Sequence, residues 1–156
     1  MKLIKPYFEI LEQQPGVDGI YKMIELAGRT CYKSEDKITP DSAKKFVERM
    51  VKSGHGAMLE HGTVYLMKDT ESFSTKDGNV GYNPLRKYNS NKYSIALEYG
   101  PFNDSTFYVT TNLRVLIEND WMDDLQYICE PTEFHEKRVT VRFICDRGVS
   151  HKKFVA

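Results

Sequence analysis

The sequence predicts a mixed α/β (α+β) fold: an antiparallel or mixed sheet flanked by helices, in one domain over residues 1–156. Three observations predict it. Apolar residues recur at helical spacing in two stretches of the first third of the chain. Runs rich in β-branched and aromatic residues at 63–67, 106–111 and 138–145 read as strands that share one sheet. A length of 156 residues with 40% apolar and 28% charged residues suits a single core of ordinary size.

The opening "MKLIKPYFEIL" reads as a short strand interrupted by Pro6, and "QQPGVDG" as a turn. From Ile20 the positions Ile20, Met23, Ile24 and Ala27 lie on one helical face. That helix is expected to end near Gly28 or slightly beyond, around "GRTCYKS". The next helix, over 39–53, is the best marked. Thr39 is its expected cap and Pro40 its first residue, where a missing N–H costs nothing. Ala43, Phe46, Val47, Met50 and Val51 form its apolar stripe, and Gly54 is a left-handed stop.

Residues 69–104 are rich in Ser, Asn, Asp, Gly and Tyr without clear periodicity, which predicts a long loop with at most a hairpin in it. "NLRVLIENDWMDDLQYI" reads as a helix or a broken pair of helices, with Asn112 as cap and Leu113, Leu116 and Ile117 as the apolar face. In "RVTVRFIC" the residues Val139, Val141, Phe143 and Cys145 alternate with Arg138, Thr140 and Arg142, the period of a half-buried strand.

The 22 basic and 22 acidic residues cancel, which removes the basic excess expected of a nucleic-acid binder. Cys31, Cys129 and Cys145 are an odd number without C-x-x-C spacing, so buried reduced thiols are expected. No signal peptide or membrane-length apolar run is apparent, and the cytoplasm is the expected location.

The densest chemistry is "SGHGAMLEHG", residues 53–62, with two histidines, a glutamate and three glycines. A metal cage suits it poorly, because zinc-binding histidines on a helix sit four apart and these ligands are five and then one apart. His135 and His151 would have to join by an accident of folding. A second reading is a junction, with histidine on the last carbonyls of one helix and Glu60 capping the next element. A third is a cofactor wall. Gly56 and Ala57 would let a planar group approach the backbone, while His55 and Glu60 make polar contacts to a ring or a ribose. Composition alone leaves the last two readings open. The nucleophile elbow, the phosphate loop and the dinucleotide fingerprint are all missing.

Three segments in order, "ELAGRTCYKSED", "GHGAMLEHGTVYL" and "RFICDRGVSH", resemble those of the flavin-dependent thymidylate synthases. The resemblance implies that family's fold and chemistry. dUMP is methylated reductively to dTMP, with methylenetetrahydrofolate giving the carbon, and NADPH reducing the FAD that gives the hydride. It also implies a homotetramer with FAD between subunits. On that pattern His55, Ala57 and Glu60 match flavin-side positions, and alanine at 57 keeps the room while forgoing a hydrogen bond worth on the order of 1 kcal/mol. The stretch between Met67 and Arg138 is long for the family.

The departure lies at the other end. The family's R-H-R-x-x-S signature, whose arginines grip phosphate, follows the position of "SH" at 150–151. Here the chain reads "SHKKFVA", with Lys152 where a glutamine or glutamate usually meets the nucleotide. The expectation is therefore the N-terminal part of such an enzyme, carrying no catalytic residue of its own and inactive alone. The alternative is a non-catalytic domain of the same fold that associates with itself or with a partner. An unrelated α+β binding domain is the third reading.

Overall fold

The computed structural model describes residues 5–70, 83–101 and 105–145. It is a mixed α/β fold with antiparallel sheets, as the sequence predicts. Two compact units make it up: residues 1–12 with 138–156, and residues 13–137.

The larger unit begins with α1 (Gly16–Cys31) and α2 (Ser42–Lys52), followed by a single turn, α3 (Gly56–Leu59). α1 ends at Cys31, within the "GRTCYKS" stretch where its end is expected. Gly28 is buried inside it because Phe46 of α2 lies against the backbone there, where a β-carbon would stand 2.5 Å from the ring. The helix is stopped by Lys33, which takes φ 50°, with Ser34 N–H on Arg29 O and Lys33 N–H on Thr30 O. α2 starts at Ser42, two residues later than Pro40, because Ser42 Oγ bonds both the N–H and the carbonyl of Thr39 and holds that stretch as a turn. Its stop is as expected: Gly54 has φ 70°.

α1 and α2 are joined by a buried polar link. Glu25, 2% exposed, accepts from Arg29 Nη2 at 3.1 Å and from Ser42 Oγ at 2.8 Å. The Arg29 guanidinium also lies 4.9 Å over the Phe46 ring.

The sheet of this unit has three strands in the order β2 (Thr63–Asp69), β4 (Thr106–Asn112), β3 (Ile95–Tyr99), all antiparallel. β3 comes from the loop-like region but pairs with β4, outside it, and a 3-10 helix at Pro84–Ser90 precedes it. Val64, Leu66, Phe107 and Val109 enter the core with Ile20, Ile24, Phe46 and Leu59 of the helices. On the opposite face Phe134 stacks on Tyr99 and lies against Tyr108, with centroids 4.7 and 4.9 Å away. α4 (Leu113–Glu118) follows β4 directly, and Asn112 caps it by accepting from Val115 N–H at 3.1 Å. Another 3-10 helix, Met122–Tyr127, completes the broken pair.

The smaller unit is a two-stranded antiparallel ribbon of β1 (Tyr7–Leu11) and β5 (Thr140–Ile144). This corrects the expectation that the 138–145 strand shares a sheet with 63–67 and 106–111. The alternation in β5 holds, but its apolar side faces outward: Val139 is 63% and Phe143 68% exposed, while Thr140, Arg142 and Ile144 are half-buried. The cysteines also differ from expectation. All three are free thiols, yet Cys31 and Cys145 are exposed and Cys129 is only half-buried.

Gly62 carries the tightest packing under β2. A β-carbon there would stand 2.6 Å from Ile24 Cδ1 and 2.7 Å from Ile20 Cγ2. Gly62→Ala should therefore cost about 1–3 kcal/mol of stability through overpacking. Urea unfolding measures this, and an unchanged midpoint would mean that α1 does not press on this corner.

Candidate functional site

The corner between α2 and β2 is built by a helix stop. His55 N–H reaches back to Met50 O at 3.0 Å and Gly54 N–H to Val51 O at 3.1 Å, both bonds of a Schellman motif. Ser53 Oγ takes Arg49 O at 2.8 Å and Met50 O at 3.2 Å. Backbone and Ser53 thus take up the carbonyls of Arg49, Met50 and Val51 without the His55 ring. It turns to α1, where Tyr32 Oη lies 2.9 Å from His55 Nδ1. Tyr32 is the residue that closes α1, so two helix ends meet through this one hydrogen bond.

Glu60 does not cap a following element either. It ends α3, and its Oε1 accepts from Arg114 Nη1 of α4 at 2.6 Å. Arg114 Nε donates to Glu118 at 2.6 Å, and these two carboxylates, Glu118 first, hold its pKa above the ordinary value. The space above Gly56 is filled by that side chain. A β-carbon at 56 would stand 3.0 Å from Arg114 Nε. Ala57 is exposed beside it. His55, Ala57 and Glu60 therefore sit on one exposed corner, with Tyr32 and Arg114 as their neighbours. Lys152 and His151 lie outside the described residues.

Arg114 is not among the residues the sequence points to, and Tyr32 lies in the resembling segment 25–36 without a role read for it. The Arg114–Glu118 spacing, four apart on a capped helix, was readable. Its reach to Glu60, 54 positions away, was not.

His135 belongs elsewhere. It is 6% exposed, with Nε2 on Leu66 O at 3.1 Å and Nδ1 accepting from Thr132 N–H at 3.1 Å. Both ring nitrogens are used, so the imidazole is a neutral bracket between β2 and the 129–137 segment and not a ligand. Cys129 Sγ is 3.8 Å from Nε2, but burial pushes that thiol up, away from the thiolate a nucleophile needs. Among the described residues, no group of three or more His, Cys, Asp or Glu side chains gathers to hold a metal. No helix among them is long and apolar enough to cross a membrane.

Known proteins resemble part of this chain. A stretch of 57 residues, 35% of the chain, is 37% identical to the flavin-dependent thymidylate synthase of Corynebacterium aurimucosum. A stretch of 60 residues, 36% of the chain, is 35% identical to that of Corynebacterium glutamicum. The similarity is to this enzyme type. These matches span about a quarter of the relatives' own length, 23% and 24%. No family model matches the chain, and no solved structure does.

Burial lowers the pKa of His135, a shift only partly opposed by its bond to Leu66 O. The unfolded imidazole, with a pKa of about 6.5, then takes up a proton before the folded one does. Stability should fall as pH drops below about 6.5, and the loss should continue until the lower folded pKa is passed. Urea midpoints of wild type and His135→Gln between about pH 5 and 8 check this; parallel curves would remove the assignment.

Proposed function

We propose that the larger unit is the flavin-side part of a subunit resembling flavin-dependent thymidylate synthase, binding FAD at the corner of His55, Ala57 and Glu60. One observation carries this reading. Two of the resembling segments, 25–36 and 54–66, are separate in sequence, yet they meet through the Tyr32–His55 hydrogen bond of 2.9 Å. The corner fits the cofactor chemically. His55 Nε2 and Glu60 Oε2 have no hydrogen-bond partner among the described residues, and both side chains are exposed next to a bare methyl group at Ala57.

FAD, when bound, supplies the hydride-transfer chemistry of the enzyme type. The residues of this chain bind and orient. Tyr32 engages His55 Nδ1 and leaves Nε2 for a ligand, and Glu60 offers one acceptor oxygen. dUMP, methylenetetrahydrofolate and NADPH are the partners this reading implies, with Lys152 on the nucleotide side. The R-H-R-x-x-S signature is not in the sequence, so these 156 residues alone should not form dTMP.

Titration of the full chain with FAD, followed by flavin fluorescence, tests the reading. The double variant His55→Ala/Glu60→Ala should bind about tenfold or more weakly, because two polar contacts to the ligand are lost. An unchanged affinity would remove the corner from the site, and no binding by wild type would remove the flavin reading.

A second reading, self-association, is favoured by the ribbon. Phe8 (65%), Ile10 (61%), Val139 (63%) and Phe143 (68%) share its exposed face, an apolar patch of the kind that marks an interface. Sedimentation should show an oligomer for wild type and a smaller species for Phe8→Ser/Phe143→Ser. A wild-type monomer would end this reading.

A further inference from the structure

Resting on the flavin reading above, we infer that Arg114 is a positioning residue for Glu60, supplied by a stretch of chain outside the three segments that carry the resemblance. α4 is fixed where it matters. Its cap, Asn112, holds Val115 N–H at 3.1 Å, and its first residue, Leu113, donates to Gly62 O at 2.9 Å. Arg114 is the next residue, so its backbone is tied to the corner that carries Glu60.

The guanidinium is then held on three sides. Nη1 donates to Glu60 Oε1 and Nε to Glu118 Oε1, each at 2.6 Å. Beneath it lies Gly56, where a β-carbon would come within 3.0 Å of Nε and 3.3 Å of Cζ. A single exposed ion pair would be weak evidence of anything, since its partners move freely. A planar fork bonded at two edges and laid on bare backbone has few rotamers left.

The consequence falls on Glu60. One of its oxygens is committed to Arg114, while the other has no partner among the described residues. A carboxylate pinned in this way offers one acceptor in a fixed direction, which suits a hydroxyl or an imide N–H. FAD carries both kinds of donor, on its ribityl chain and on its ring. Arg114 acts through Glu60 and touches no ligand itself.

A double-mutant cycle on the full chain tests this, with FAD affinity read by flavin fluorescence. Glu60→Ala and Arg114→Met should each weaken binding about tenfold, and the double variant no more than Glu60→Ala alone. Wild-type affinity in Arg114→Met, or additive losses in the double variant, would overturn the inference. A second measurement needs no ligand: nitrogen NMR of the Arg114 side chain. Rotation about Nε–Cζ should be slow in wild type and fast in Glu60→Gln. A freely rotating guanidinium in wild type overturns the inference whether or not FAD binds. Slow rotation in a chain that binds no FAD overturns the flavin reading and leaves the clamp standing.

Discussion

The contact on which this structure depends is the close approach of α1 to the start of β2. Gly62 sits against Ile20 and Ile24 where no β-carbon fits, and Gly28 admits the ring of Phe46 on the same helix. Both glycines are there to be small, and neither has a positive φ. Because α1 is pressed this tightly against α2 and β2, its last residues arrive beside the stop of α2. Tyr32 and His55 then bond across 23 positions of sequence. Dispersion and the exclusion of water supply the force, and sterics supply the register.

Polar groups inside the larger unit follow the same economy of placement. Asp124, 5% exposed, accepts from Tyr88 Oη at 2.8 Å and pairs with Lys87 at 2.7 Å. Burial first, and then Asp124, keep the Tyr88 phenol protonated well above its ordinary range. This link anchors the 3-10 helix before β3 to the one after α4, much as Glu25 joins α1 to α2. His135 does likewise for the segment beside β2. Glu25, Asp124 and His135 each have hydrogen-bond partners where they are buried, and that is the condition for a polar group to specify a fold without weakening it. Thr110 Oγ1 departs from the rule. It is buried in the central strand without a partner, and nothing in the structure explains why.

Much of this was legible in the sequence because it is local. The stop at Gly54, the cap at Asn112, the apolar stripe of α2 and the strands at 63–69 and 106–112 each follow from a few neighbouring residues. The exact role of Gly28 was not legible, since a glycine chosen for a close neighbour looks the same in sequence as one chosen for a turn. The same holds for Lys33, which adopts φ 50° with no glycine to announce it. The pairing of β5 with β1 was out of reach, since those strands are separated by the whole larger unit and alternate in a way that fits any antiparallel partner. At the corner, His55 and Glu60 were visible as residue types. What each of them holds on to was not, because both partners come from other helices.

The charges at the corner narrow what it can receive. Glu60, Glu118 and Arg114 sum to minus one, and the two carboxylates occupy the guanidinium edges that would otherwise meet an anion. A phosphate placed here would find its natural donor engaged and two negative groups beside it. Hydroxyls, imides and ring edges meet no such opposition. His55 Nε2 offers a further polar contact, and Ala57 adds no bulk. A nucleotide cofactor whose ring and sugar chain lay at this corner would have to direct its phosphates away from it, because Arg114, the one basic residue of α3 and α4, is already paired with Glu60 and Glu118.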